Sequence, residues 1–455
     1  MSHQEKQIIP FSVVTTLVIT GLLAIVQQQI LFNRPPKLRE IGIQQIRSGT
    51  VALDVRFSRS MRVSSIREHS RIYPKLQHQW LGMGRHVRLL INSDHSIRQP
   101  LRLEIGGLDN RGLKLESNRW WWDPRPYLLA VVLVPGGEQL QMRLFDGSWV
   151  PLSPTWPKIS QLEPLGNGRG VAFVSIDKEW RHQVWVRSLT QNAIRANRTQ
   201  LKSPFLGPLN LLTSDPKVFA LLSSNQHGEL LVQVGGEDPG SDQIWVQNEK
   251  GNKRTLDLNA TGQIRLIPDG SGLVMPSFNG IELVPLSQDG KPTSHQVLPG
   301  DRNLKAFCSG SGRAVVTNVL PDYRESVELL IPGVAPKQLW ISDKGIVMAA
   351  GCDNRGQRIL VVVRKYTSRL IDEALLLDSD GKILKRRILT PLSLLHGSIL
   401  DYDPVGDQFL LVLLIESSNF LRPALIQASD LSIKTFDKKI KATRWLHAGA
   451  TVKAP

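Results

Sequence analysis

Asp403-Pro404-Val405-Gly406, followed after Asp407 and Gln408 by Phe409-Leu410-Leu411-Val412-Leu413-Leu414, is a tight turn that leads into a short apolar run. Asp353-Asn354-Arg355-Gly356 precedes Ile359-Leu360-Val361-Val362-Val363 in the same way. Pro and Gly interrupt a helix at such a turn, while a brief aliphatic run between turn signals suits a buried strand. The two-part unit recurs as DPRPYLLAVV from Asp123, GNGRGVAFV from Gly166, SNQHGELLVQV from Ser224, DGSGLVM from Asp269 and SGSGRAVV from Ser309, which makes seven units.

The spacing decides the architecture. Gly168, Gly228, Gly272, Gly312, Gly356 and Gly406 fall 60, 44, 40, 44 and 50 residues apart. A four-stranded propeller blade needs ~40–50 residues, so the longest interval is read as a loop insertion around Gln191 to Pro208. Later strands of several units meet at Asp146-Gly147, Lys250-Gly251, Asp289-Gly290 and Asp380-Gly381. The Asp-Gly pairs are read as type I′ hairpin turns. The closing stretch ATRWLHAGATV offers a strand that joins the ring to its first blade. The repeat resembles the TolB-like or WD40-like propeller family, whose units read S-P-D-G and then an aliphatic strand. Trp122-Asp123 begins a turn rather than ending a strand, which departs from the WD40 pattern. The resemblance covers residues 118–450 and implies a β-propeller, read as seven-bladed with six or eight blades left open.

Ahead of the repeats, several segments alternate apolar and polar residues with a period of two, as strands with one buried face do. In VALDVRF, Val51, Leu53, Val55 and Phe57 share a face; Leu101, Leu103 and Ile105 share another. The order Phe57-Ser58-Arg59-Ser60-Met61, then Ile72-Tyr73-Pro74, then Asp109 to Gly112 resembles the bacterial Ig-like domain of SbsA-type surface-layer proteins. That resemblance covers residues 41–117 and implies a small β-sandwich acting as a spacer or display module.

Nearer the start, Ile8 to Val26 runs 19 residues without a charge. At about 1.5 Å per residue this nearly crosses a hydrocarbon core, so residues 8–30 are read as an uncleaved transmembrane signal-anchor helix, after a tail of residues 1–7 and before a linker of residues 31–40. A cleaved signal peptide is the competing reading. Lys6 precedes the segment and Arg34, Lys37 and Arg39 follow it, an asymmetry that favours a cytoplasmic C-terminal side. The two envelope-type resemblances point the other way, and a periplasmic, extracytoplasmic location is expected on that ground. The fold expected overall is all-β behind a single membrane helix, with a short tail at 451–455.

Composition fits a folded chain: 41% of the 455 residues are hydrophobic and 21% charged. The net charge is +16, and residues 41–126 alone carry 15 Lys and Arg against 7 Asp and Glu. Such a surface attracts anionic polymers or lipid headgroups. The basic residues are scattered and accompany no nucleic-acid motif, so nucleic acid is disfavoured as a partner. Cys308 and Cys352 are the two cysteines; matching positions on neighbouring blades favour free buried thiols over a bridge.

Chemistry is sparse. No nucleophile elbow, HExxH, P-loop or EF-hand loop occurs, the ten histidines are dispersed, and no catalytic, metal or cofactor residue is assigned. One feature is unusual: Trp120-Trp121-Trp122, flanked by Arg119 and Arg125. Alternation puts Trp121 on one face and its neighbours on the other, so the cluster either packs the sandwich against the first blade or offers a stacking platform for a sugar or a partner, with the two arginines as donors. The functional expectation is a non-catalytic, membrane-anchored envelope module that binds an envelope protein or an anionic polysaccharide. The alternatives are a lactonase-like or glycan-cleaving propeller hydrolase with a channel metal, and a binder of anionic polymers through the basic surface.

Overall fold

The computed structural model describes residues 11–44, 51–91, 96–116, 118–191, 193–196, 203–238, 240–286, 296–343, 345–366, 368–395, 397–416, 420–449 and 451–453. Nearly all of it is antiparallel β-structure. Seven sheets follow one another as blades, and the innermost strand of each runs toward the same end of a shared channel. Blade 1 takes its innermost strand, Ile440–Leu446, from the far end of the chain and pairs it with Tyr127–Val134. That strand touches the innermost strands of blade 2 (Lys158–Pro164) and blade 7 (Asp401–Asp403), which closes the ring as the ATRWL segment suggested. The other innermost strands are Phe219–Ser224, Arg265–Leu266, Asp301–Cys308 and Gly345–Cys352 in blades 3 to 6.

Six of the recurring turns join an innermost strand to the second strand of its blade; the turn from Asp123 instead joins the sandwich strand Asn118–Trp122 to the second strand of blade 1, and in all seven units the aliphatic run is that second strand. Gly170–Ile176, Leu230–Gly235, Arg358–Tyr366 and Gln408–Ile415 sit between two sheet partners and two neighbouring blades, so both faces need apolar side chains. Apolar clusters fill the seams between consecutive blades: Val174 with Leu222 and Val232, for example, and Leu360 and Val362 with Leu411. Each such side chain contributes roughly 1.5–3 kcal/mol by leaving water. Among the described residues, the seam between blades 4 and 5 is the one with no apolar cluster of its own.

The hairpin turns differ from the expected type. Gly147, Gly251 and Gly381 have φ of 92°, 84° and 86°, whereas Asp146 and Asp380 are not left-handed. Gly147 N donates to Leu144 O and Leu144 N to Ser148 O, and the same pattern recurs at Asn248 and Asp378. A type I turn followed by one left-handed glycine therefore replaces type I′. Asp289-Gly290 lies outside the described residues.

Two four-stranded sheets pack face to face ahead of the propeller. One holds Thr451–Lys453, Leu38–Gln44, Val51–Met61 and His78–Ile91; the other holds Ile194–Ala196, Asn118–Trp122, Leu101–Ile105 and Arg71–Tyr73. Phe57, Leu53, Trp80, Leu89, Leu103 and Trp122 meet in their common core. The sandwich is thus wider than residues 41–117. Asn118–Trp122 belongs to it, part of the expected blade-2 insertion returns as Ile194–Ala196 to pair with those tryptophans, and Thr451–Lys453 pairs with its first strand. Both long-range strands escaped a reading based on local order because each is three residues long.

Two further expectations are corrected. Phe11–Asn33 forms a helix, but among the described residues no helix is long and apolar enough to cross a membrane, so the anchor expected at residues 8–30 is not supported. Cys308 and Cys352 form a disulfide with Cα atoms 5.5 Å apart. Both cap innermost strands of adjacent blades, where the blades converge on the channel and matching positions come nearest.

Candidate functional site

The seven recurring turns crowd around one end of the channel, and the sandwich sits over it. Ile97 N donates to Val405 O, and the Val405 side chain enters the sandwich core. Neighbouring turns also bond to one another: Gln226 N to Pro268 O, Gly310 N to Asn354 O, and Arg358 to Asp407 at 2.6 Å. Asp353 and Asp403 accept from backbone amides of their own turns. GNGRG is part of this ring of turns: a Cβ on Gly166 would stand 2.2 Å from Asn225 O.

Beneath the sandwich lies a cavity of about 210 Å3, roofed by Ile43 and Val51 and walled by the ends of the innermost strands. Among the described residues five charged side chains line it: Glu163, Arg265, Lys305, Asp401 and Arg444. They come from the innermost strands of five different blades, which the ring brings together at one end of the channel. Arg444 Nη1 is 3.2 Å from Glu163 Oε2 and its Nε is 3.2 Å from Asp401 Oδ2. Ser224 N donates to Glu163 Oε1 and Trp445 N to Asp401 Oδ2. Both carboxylates are therefore held by one guanidinium and one backbone amide each.

Burial sets the remaining electrostatics. It pushes the Glu163 carboxyl above its ordinary range, against the pull of Arg444 and the Ser224 amide. It also pulls Arg265 and Lys305 below theirs, and His447 likewise, with Arg444 adding to the effect on His447. Arg444 goes the other way, because Glu163 and Asp401 outweigh its desolvation. Among the described residues no three His, Cys, Asp or Glu side chains converge so as to hold a metal ion.

The tryptophan cluster has a different fate from the channel. Trp120 and Trp122 are 1% and 0% exposed and belong to the sandwich core, packed between sheets rather than against the first blade, which removes both from any stacking platform. Trp121 faces outward, half-buried, with Arg102 and Arg195 opposite it on the flanking strands. Arg119 is exposed and pairs with Glu104 at 3.4 Å. Arg125 is committed to Asp123 at 2.6 Å and stacks 4.1 Å over Phe145. Alternation was legible; which face is the buried one depended on a partner strand from residue 194 onward.

A second surface lies at the far end of the channel. Turns between the second and third strands lie there, and among the described residues six of the seven blades expose a large apolar side chain at or beside this turn: Leu133, Trp180, Phe278, Tyr323, Leu370 and Phe420. Phe278 and Tyr323 are 98% and 91% exposed. Trp180 and Tyr323 hold φ of 61° and 64°, a left-handed conformation costly for residues with a Cβ. Singly, an exposed aromatic beside a turn carries no signal, so only the ring geometry reveals the pattern.

No family model matches the chain, and no curated protein matches it; the SbsA-type resemblance gains no support. Among solved structures it is similar to TolB from Acinetobacter baumannii, with 11% identity, 83% of each chain covered and a TM-score of 0.43. A putative 6-phosphogluconolactonase from Bacteroides fragilis shows 14% identity over 72% of this chain and 98% of that one, with a TM-score of 0.43. The β-propeller domain of the trilobed protease from Pyrococcus furiosus shows 10% identity over 74% and 93%, with a TM-score of 0.44. At these values the likenesses carry no argument about activity, and the propeller rests on the sheet order described above.

Proposed function

We propose that the protein is a non-catalytic binding module of the extracytoplasmic space, whose propeller presents the face opposite the sandwich to a protein partner. The observation that carries this reading is the row of exposed apolar side chains at the second-to-third-strand turns, two of them kept in left-handed backbone positions where glycine would be cheaper. Aromatic side chains bury much area at little entropic cost, which suits them to docking. The Cys308–Cys352 bridge supports an oxidising compartment. The test is capture of a partner from envelope fractions by the wild-type chain and by a Trp180→Gly, Phe278→Ser, Tyr323→Gly variant. The reading requires that the variant fold and lose the partner; equal capture by both overturns it.

A hydrolase is the second reading, and one observation favours it: Glu163, raised by burial, lines a cavity beside His447. Against it, Glu163 and Asp401 are both bound to Arg444, so neither has the freedom expected of a general base. Turnover of an ester, lactone or glycoside that disappears in Glu163→Gln would establish the hydrolase and displace the binding role.

A further inference from the structure

The seam between blades 4 and 5 is built unlike the others. Blade 4 contributes an innermost strand of two residues, Arg265–Leu266, and no apolar cluster of the described residues bridges it to blade 5. Instead Arg265 Nη1 donates to Lys305 O at 3.3 Å, and the guanidinium lies 5.8 Å from the Phe307 ring centre. Both cations are half-buried and line the cavity under the sandwich. Within that cavity Glu163 and Asp401 are already engaged by Arg444, and they oppose Arg265 only at longer range. Among the described residues the ammonium of Lys305 has no carboxylate within ion-pairing distance and no hydrogen-bond acceptor; Glu325 acts on it only through space.

Taken together, three cations face two carboxylates in a partly dehydrated space. A partly dehydrated ammonium without a partner is unfavourable, since charges withdrawn from water are normally paired, and an anion entering the cavity would supply the missing partner. The void of about 210 Å3 far exceeds the ~10–15 Å3 that one water requires. Phe307 adds an apolar wall beside the guanidinium. We infer that the channel mouth beneath the sandwich binds a small anion, a carboxylate or phosphate group, held between Arg265 and the Lys305 ammonium. A guanidinium offers a planar fork to two anionic oxygens, and the ammonium supplies a compact charge beside it. The site is at the other end of the channel from the docking face, so it stands or falls independently of that reading.

Two probes, inorganic phosphate and citrate, titrated calorimetrically into the full chain at constant ionic strength, separate the phosphate from the carboxylate form. Saturable binding of one of them at a single site is expected. Lys305→Met and Arg265→Met should each weaken it by about tenfold or more, since a charge-assisted hydrogen bond is lost, while Lys305→Arg stays within about threefold and the exposed-turn control Lys250→Met is unchanged. Thermal melting supplies a second readout. Without anion Lys305→Met should melt no lower than wild type, because it removes an unpaired cation, and it should lose the anion-dependent rise. No saturable binding, equal affinity across all four variants, or a Lys305→Met protein that melts lower yet keeps the anion-dependent rise overturns the inference.

Discussion

Arg444 Nη1 lies 3.2 Å from Glu163 Oε2, joining residues 281 positions apart and locking the strand that closes the ring to the blade beside it. The same guanidinium holds Asp401 on the other side. Blades 7, 1 and 2 are thus tied at the one place where the ring depends on the two ends of the chain meeting.

Arg444→Met leaves the buried Glu163 and the half-buried Asp401 without their cation, and breaking a buried pair in this way costs roughly 3–5 kcal/mol. Urea denaturation should show that loss, with Glu163→Gln in the same chain recovering part of it. A loss below about 1 kcal/mol would mean that backbone pairing alone closes the ring.

The disulfide spans 44 residues between blades 5 and 6. A loop of that length corresponds to about 4 kcal/mol in the chain-entropy picture, with measured values commonly about 2–4 kcal/mol. Reduction, or Cys308→Ser with Cys352→Ser, should lower the urea midpoint accordingly while far-ultraviolet dichroism stays that of a β-protein.

Asp403 opens the turn of blade 7 and is 2% exposed. Burial raises its carboxyl from 3.8 to about 6, although Val405 N, Gly406 N and Gln408 donate to it. A pKa raised on folding means that the folded state binds the proton more tightly. The associated stability is complete below about pH 4 and is lost as pH rises through about 6, on the order of 3 kcal/mol in all. His447 works in the opposite sense: burial lowers its pKa from 6.5, so stability falls as pH drops below that value. The difference in unfolding free energy between wild type and Asp403→Asn isolates the first effect; it should change by that amount between pH 4 and 7, and a flat difference would refute the assignment.

Tyr323 sits at φ 64° with its ring in solvent. Tyr323→Gly removes the left-handed strain and should stabilise the fold by roughly 0.5–1 kcal/mol in thermal or urea unfolding. A variant that is more stable and binds less would show that the tyrosine is retained for contact rather than for folding.

Much of the architecture is local and so was legible in the residues. Asp353 to Gly356 before Ile359 to Val363, and Asp403 to Gly406 before Phe409 to Leu414, specify turn and buried strand through backbone geometry and apolar patterning, and their regular return specifies blades. Other outcomes depend on residues far apart in sequence, for which local chemistry carries no signal. Ile194–Ala196 covers the tryptophans, Cys308 meets Cys352 because blades converge at the channel, and Arg444 reaches Glu163 only after the ring has closed. The cavity lined by Arg265 and Lys305 is of the same kind: each lysine or arginine in a strand looks like a solvated charge until the curvature of the ring turns its side chain inward.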